Sequence, residues 1–245
     1  MPTPRNVLIT GGSSGLGLAT AKRFAANGDR VIITGRDQAA LDAAATAIGP
    51  QATAIRSDTS DLAAIDALFA RVAKSHGKLD VLFVNAGVFA FTPAHQIDAA
   101  TFDHMVGINL RGAFFTATKS FAHLNDGAAV ILNGSGLSCK GLPGASVYSL
   151  TKAALVSLAR TLAAEWAPRR IRVNVVSPGP ADTPIHGKLG LPPEAIQAMA
   201  GQIAANVPLK RFGEAHEIAD AVFFTAGNAY MTGTELFIDG GFAQV

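Results

Sequence analysis

Arg5-Asn6-Val7-Leu8-Ile9-Thr10-Gly11-Gly12-Ser13-Ser14-Gly15-Leu16-Gly17 is the stretch on which the fold turns. The apolar run Arg5–Thr10 reads as a short buried strand. Glycines follow at once, and Gly15–Asn27 has helical character. A strand that ends in glycines lets the backbone turn sharply, and the helix that follows aims its free N-terminal amides at an anion. The spacing is Gly-x-x-x-Gly-x-Gly rather than Gly-x-Gly-x-x-Gly. By itself, therefore, the loop also reads as a tight strand–helix turn without a ligand.

Outward from this loop the same alternation repeats. Further strands are predicted at Arg30–Thr34, Ala52–Arg56, Leu79–Val84, Ala128–Asn133 and Ile171–Val176, with a seventh at Glu235–Ile238. Between them fall helices at Asp37–Ile48, Asp61–His76, Ala99–Leu124 and Val147–Ala167, and one carrying Ile196, Met199 and Ile203. Asp37 is placed as an N-cap, and Gly49-Pro50 stops that helix. Strands alternating with helices predict an α/β fold: a single, Rossmann-like, doubly wound parallel sheet of about seven strands with helices on both faces. No linker-like shift in composition and no repeat divides the chain, so residues 1–245 are expected to form one domain. The Pro/Gly-rich stretch Pro178–Pro193 is the longest irregular segment, and such a segment in a compact domain reads as a lid, here over about 183–210.

Of the 245 residues, 49% are hydrophobic and 16% charged, a composition that excludes a disordered chain. Twenty Lys plus Arg against eighteen Asp plus Glu leave a formal charge of +2, too balanced for a nucleic-acid partner. Cys139 is the single cysteine, so a disulfide within the chain and a multi-cysteine metal site are ruled out. It reads as a small filler rather than a nucleophile. His95, His104 and His123 lack metal-ligand spacing, and no metal is expected. No apolar stretch has the length of a membrane span and no signal core is evident, so a cytoplasmic location is expected.

Tyr148 and Lys152 are four apart at the start of a helix, hence one turn apart on one face. A phenol is a poor base at neutral pH, and a nearby ammonium is expected to lower its pKa toward the working range. Ser135, just after the fifth strand, is placed to donate to a carbonyl or alkoxide oxygen held beside the phenol. Taken alone, Tyr-x-x-x-Lys is also what an ordinary helix carries by chance.

Together these pieces resemble the short-chain dehydrogenase/reductase family over essentially the whole chain. The matching motifs are Thr10-Gly-Gly-Ser-Ser-Gly-Leu-Gly17, Asp58, Asn85-Ala86-Gly87, Asn109, Ser135, Tyr148-Ser-Leu-Thr-Lys152, Asn174-Val-Val-Ser-Pro178-Gly179, Thr232-Gly233 and Asp239-Gly240-Gly241. The resemblance implies that Tyr148 is the catalytic acid/base. It implies that Lys152 depresses the tyrosine pKa and binds the nicotinamide ribose, that Ser135 polarises the substrate carbonyl, and that Asn109 holds a relay water. It places Gly11, Ser13, Ser14, Leu16 and Gly17 around the adenosine ribose and pyrophosphate, and Asp58 and Thr59 at the adenine. Asn85, Ala86 and Gly87 lie under the adenosine ribose, and Pro178, Gly179, Ala181 and Thr183 hold the nicotinamide end. Substrate contacts are expected from Ser135, Leu137, Leu142, Tyr148 and Ile185, with Phe89, Ala90 and Phe91 adding to the wall and Lys140 and Lys188 as polar exceptions; His186 reads as a surface-loop histidine rather than a substrate contact.

Relatives that prefer NAD carry an acidic residue at the end of the second strand. Here Gly35 stands there, followed by Arg36, whose guanidinium can grip a 2′-phosphate, so the cofactor is expected to be NADP(H). The expected activity is NADPH-dependent reduction of a ketone or other carbonyl to a secondary alcohol, a reversible hydride transfer to a small-molecule substrate. The alternative is a 3-oxoacyl-[acyl-carrier-protein] reductase, disfavoured by Asp126 where such relatives carry a basic residue. A non-catalytic NADP(H)-binding sensor is disfavoured by the intact tetrad. The resemblance implies a homotetramer, and apolar excess on the helices around Phe114 and after Tyr148 is an independent sign of an interface between subunits.

Overall fold

The computed structural model describes residues 3–182 and 193–245. One seven-stranded parallel sheet organises them, in the order β3-β2-β1-β4-β5-β6-β7. The strands are β1 (Asn6–Ile9), β2 (Arg30–Gly35), β3 (Ala52–Arg56), β4 (Leu79–Val84), β5 (Leu124–Asn133), β6 (Arg172–Pro178) and β7 (Glu235–Ile238). Helices α1 (Gly15–Ala26), α2 (Gln38–Ile48), α3 (Leu62–His76), α4 (Ala99–Val106), α5 (Ala113–Ser120), α6 (Ser146–Trp166), α7 (Pro193–Asn206) and α8 (Ala215–Gly227) connect them.

The strands are Val/Ile/Leu-rich because both faces are covered. Successive side chains point to opposite faces, and the core divides accordingly. Leu8, Ile32, Leu82, Val130 and Val173 pack with α3, α5 and α6. Val7, Ile9, Val31, Phe83 and Ile131 pack with α1, α2 and α8. Helix α8 closes over α1: the Phe24 and Phe223 rings lie 5.1 Å apart, and Arg23 pairs with Asp220 at 2.7 Å. From β6, the Arg172 guanidinium donates to the carbonyls of Thr225, Ala226 and Asn228, collecting the free carbonyls at the end of α8.

Asp37 caps α2 as expected, accepting from the Ala40 amide at 3.1 Å. The helical run predicted over Ala99–Leu124 is unbroken from Ala99 to His123, but its winding changes along the way. A π-helical turn at Gly107–Gly112 separates α4 from α5, and a 3₁₀ turn ends the run at Phe121–His123. The turn ends at Gly112, where a Cβ would stand 2.4 Å from the Thr59 carbonyl oxygen. The helix presses on that backbone and re-registers by one residue there. Helix α8 escaped the sequence reading, although Glu214 and Glu217 form a capping box at its start. Strand β5 also begins earlier than expected, with a register irregularity opposite Leu79 and Val81.

Candidate active site

Strand order reverses between β1 and β4, and a crevice opens at the carboxyl ends of the strands on either side. A cavity of about 410 Å³ occupies it. Its floor is tied by a small network. Thr10 Oγ1 accepts from the Asn85 and Ala86 amides at 2.9 and 3.0 Å. Asn85 Nδ2 donates to the carbonyls of Thr10 and Gly11, at 2.9 and 3.1 Å. Asn133 Nδ2 donates in turn to Asn85 Oδ1 at 3.1 Å.

Gly11, Ser13, Ser14, Leu16, Arg36, Asp58, Thr59, Asn85, Ala86 and Gly87 all line this cavity. So do Ser135, Leu137, Leu142, Tyr148, Lys152, Pro178, Gly179 and Ala181. Gly17 does not: it is buried, and a Cβ there would stand 2.2 Å from the Gly11 carbonyl oxygen. Its part is to let α1 approach the loop. Ala90 is also absent from the lining, while Phe89 and Phe91 belong to it. Thr183, Ile185, His186 and Lys188 lie outside the described residues. Lys140 donates to the Phe242 carbonyl and rests over its ring, so it is tied to the C-terminal segment and is not part of the lining.

Two features suit a dinucleotide. The N-terminus of α1 has no side-chain cap, which leaves its first amides free for an anion. Thr34 Oγ1 and Asn133 Oδ1 are buried polar atoms without a partner on residues that line the cavity. Asp58 is held by Ser60, whose amide and hydroxyl both donate to its Oδ1. Burial raises its pKa, but these bonds and the nearby Arg36 outweigh it and leave the carboxyl below its ordinary range.

At the other end stand Ser135, Tyr148 and Lys152. Ser135 is buried, and its Oγ accepts from the Leu137 amide at 3.2 Å. The Phe89 ring meets Tyr148 edge-on at 4.9 Å. Lys152 is 3% exposed and donates to the Asn133 carbonyl at 2.7 Å, with Nζ 5.5 Å from the centre of the Tyr148 ring. Burial lowers its pKa to about 8. The expectation of a phenol shifted downward is corrected here. Burial raises the Tyr148 pKa, and only a hydrogen bond with Ser135 pulls the other way. The ammonium turns to the Asn133 carbonyl instead of the phenol oxygen, and desolvation prevails.

Asn109 is buried inside the π-helical turn. Its side chain, implied as a water holder, clamps the Val88 main chain: Oδ1 accepts from the amide and Nδ2 donates to the carbonyl, both at 2.8 Å. Cys139, expected as a filler, is exposed, because the 3₁₀ turn after Ser135 carries it outward. Among the described residues no group of three or more His, Cys, Asp or Glu is placed to hold a metal, and no helix is long and apolar enough to cross a membrane. Ile203, expected in the lid, lines the cavity, and sequence reasoning missed Asn133, Asn206 and Phe242, which also line it. A polar Asn133 closing a buried parallel strand was the one available signal, since such strand ends face the crevice.

A family model described as enoyl-(acyl carrier protein) reductase matches residues 11–243. Oxidoreductase asL5 of Sarocladium schorii is 37% identical over 247 residues, covering 99% of this chain and 97% of that protein. The solved short-chain dehydrogenase/reductase of Serratia marcescens BCRC 10948 superposes with a TM-score of 0.91 at 33% identity, over 99% of this chain and 100% of the other. The 3-ketoacyl-(acyl-carrier-protein) reductase of Brucella melitensis, solved with NADH, gives 0.91 at 31% identity, over 98% of both chains.

Proposed function

The chain belongs to the short-chain dehydrogenase/reductase family, and from that premise we propose that it reduces a ketone to a secondary alcohol with NADPH, using Tyr148 as proton donor. It is an oxidoreductase of alcohol and carbonyl groups. The observation that carries the finer reading is one cavity with an uncapped helix N-terminus at one end and Ser135, Tyr148 and Lys152 at the other. When bound there, the cofactor supplies the hydride. Every other task falls to the chain. The backbone of the Gly11–Leu16 loop and α1 hold the pyrophosphate. Asp58 and Thr59 meet the adenine, Asn85 to Gly87 support the ribose, and Pro178, Gly179, Ala181 and Thr183 hold the nicotinamide end. Lys152 binds the nicotinamide ribose, and Asn109 keeps the Val88 loop in place beside it. Ser135 donates to the substrate oxygen, and Tyr148 delivers a proton to that same oxygen.

The described substrate wall is apolar: Phe89, Phe91, Leu137, Leu142 and Phe242, with Ile185 expected to join them. It suits an uncharged ketone. Turnover across ketones, sugars and acyl thioesters tests this, and activity confined to thioesters overturns it. The Brucella neighbour favours the second reading, reduction of 3-oxoacyl chains on acyl carrier protein. Against it, Asp126 occupies the expected docking position and pairs with Arg169 at 2.8 Å.

The preference for NADPH rests on Gly35 and Arg36, both lining the cavity, and on Asp37 being engaged as the α2 cap. Replacing Gly35→Asp places a carboxylate where a 2′-phosphate would lie. A Cβ there meets Ser13 Oγ at 3.3 Å and Leu41 at 3.5 Å, which small shifts accommodate. The ratio of kcat/KM for NADPH over NADH is expected to fall by about tenfold or more. A wild-type enzyme as efficient with NADH as with NADPH sinks the assignment.

We further place the protein in the cytoplasm as a homotetramer built from one domain. Leu155, Val156, Ala159, Leu162, Ala163 and Trp166 of α6 are covered within the chain, which leaves Leu150 and Ala153 of α6 exposed, along with Phe114 on α5. Light scattering at micromolar concentration is expected to give about four times the 25.2 kDa chain mass. A monomer mass refutes this.

A further inference from the structure

Glu235 opens β7, the edge strand, and has no part in the site described above. Its Oε1 accepts two hydroxyl hydrogen bonds of 2.6 Å, one from Ser138 Oγ and one from Ser177 Oγ. Bonds of that length from hydroxyl to carboxylate are among the stronger kinds in proteins. Ser138 closes the 3₁₀ turn that Ser135 begins, and its amide donates to the Ser135 carbonyl at 2.9 Å. Ser177 is fully buried and immediately precedes Pro178 and Gly179, which line the cavity.

The sheet explains why these three meet. In the β6–β7 register Glu235 stands opposite Val175 and Ser177 opposite Phe237. The period of two then puts Ser177 and Glu235 on the same face. Ser177 also supports the neighbouring turn from below: at Gly134, the residue before Ser135, a Cβ would stand 2.2 Å from Ser177 Oγ. One carboxylate oxygen thus joins the turn carrying Ser135, at the end of β5, to the segment carrying Pro178 and Gly179, at the end of β6. These are two walls of one cavity. An inward charge on an edge strand also discourages strand addition, but that purpose requires no hydroxyl partners.

We propose that Glu235 is a positioning residue that holds the Ser135 turn against the Pro178–Gly179 segment through Ser138 and Ser177. The proposal rests on the ketone reductase reading for its effect on turnover, not for its effect on the turn itself. Full-length E235L, E235Q and S138A are compared with wild type in steady-state kinetics, in NADPH binding by cofactor fluorescence, and in amide hydrogen exchange over residues 135–140. Losing the acceptor in E235L is expected to lower kcat by about 10²-fold, the effect of a misplacement of about 1 Å. Gln keeps an acceptor oxygen, so E235Q recovers to within about tenfold of wild type. S138A cuts only the tie to the Ser135 turn. It is expected to lower kcat by about tenfold with NADPH affinity unchanged, and to accelerate exchange in the turn.

Wild-type kcat in a folded E235L or S138A overturns the proposal, as do equal losses in E235Q and E235L. Should E235L fail to fold, S138A carries the test. A wild-type protein that reduces no ketone refutes the functional reading instead, and exchange alone then decides: unaccelerated exchange in S138A overturns the clamp.

Discussion

Tyr148→Phe lowers kcat for ketone reduction by about 10²–10⁴-fold, the usual worth of general acid–base catalysis, while NADPH still binds. The substitution removes one oxygen and little else. The Phe89 ring keeps its edge-on contact at the 4.9 Å position, and Ser135 Oγ keeps the Leu137 amide. What is lost is the proton donor. Burial holds the phenol above its ordinary pKa, so the protonated form that reduction requires is present across the neutral range. The reverse reaction needs the phenolate, and alcohol oxidation is therefore expected to rise steadily toward alkaline pH. Cofactor fluorescence measures binding, and a turnover assay measures kcat. A Phe variant within tenfold of wild type removes Tyr148 from the mechanism, and a flat oxidation profile from about pH 6 to 10 removes it as base.

Lys152→Met is the second large effect, and it moves stability and activity in opposite directions. The ammonium is buried, and its pKa falls from the ordinary 10.5 to about 8 in the folded chain. That difference corresponds to about 3 kcal/mol against folding. The sign follows from the depressed value. Below about pH 8 the lysine is charged in both states and the cost is fully present. As pH rises from about 8 to 10.5 the folded state has released its proton while the unfolded state still binds one, so the cost is relieved. Methionine fills the same space without charge. Its stabilisation of the cofactor-free protein is expected to be largest below about pH 8 and to vanish only above about pH 10.5. The bond to the Asn133 carbonyl is lost, which offsets part of the gain. Melting temperature is expected to rise by about 2–4 °C for each net kcal/mol. At the same time NADPH affinity weakens by about tenfold or more, since a charged donor is gone. In wild type, kcat/KM for NADPH is expected to decline above about pH 8. A melting-temperature difference between variant and wild type that is independent of pH contradicts the assignment of the buried ammonium.

The parts of this protein legible in the sequence are those that depend on local pattern. Two-residue and 3.6-residue periodicities place the strands and helices, and glycines mark the turn before α1. The Tyr148 and Lys152 spacing puts both on one side of α6, and both reach the cavity. Illegible were properties that depend on distant neighbours. The π-helical turn between α4 and α5 ends where Gly112 meets the Thr59 carbonyl closely, a contact that residue type alone does not announce. The direction of the Tyr148 shift depends on how deeply the phenol is buried and on Lys152 turning to Asn133. Glu235 reads in the sequence as a polar strand residue, and its two serines come from the 3₁₀ turn after β5 and from β6. Helix α8 was legible in principle, through Glu214, Glu217 and the apolar spacing of Ile218, Ala221, Val222 and Ala226.

The packing of α8 over α1 bears on how the chain comes into being. Synthesis runs from the N-terminus at about 5–20 residues per second, so α1 leaves the ribosome many seconds before its cover exists. Phe24 and Arg23 wait for Phe223 and Asp220, separated by nearly the whole message. During that interval Ala129 and Ile131 of β5 and Val176 of β6 lack the helix that packs over them. The packing of this face therefore completes only once α8 has been made. The last helix to be translated seals the face that the first one began.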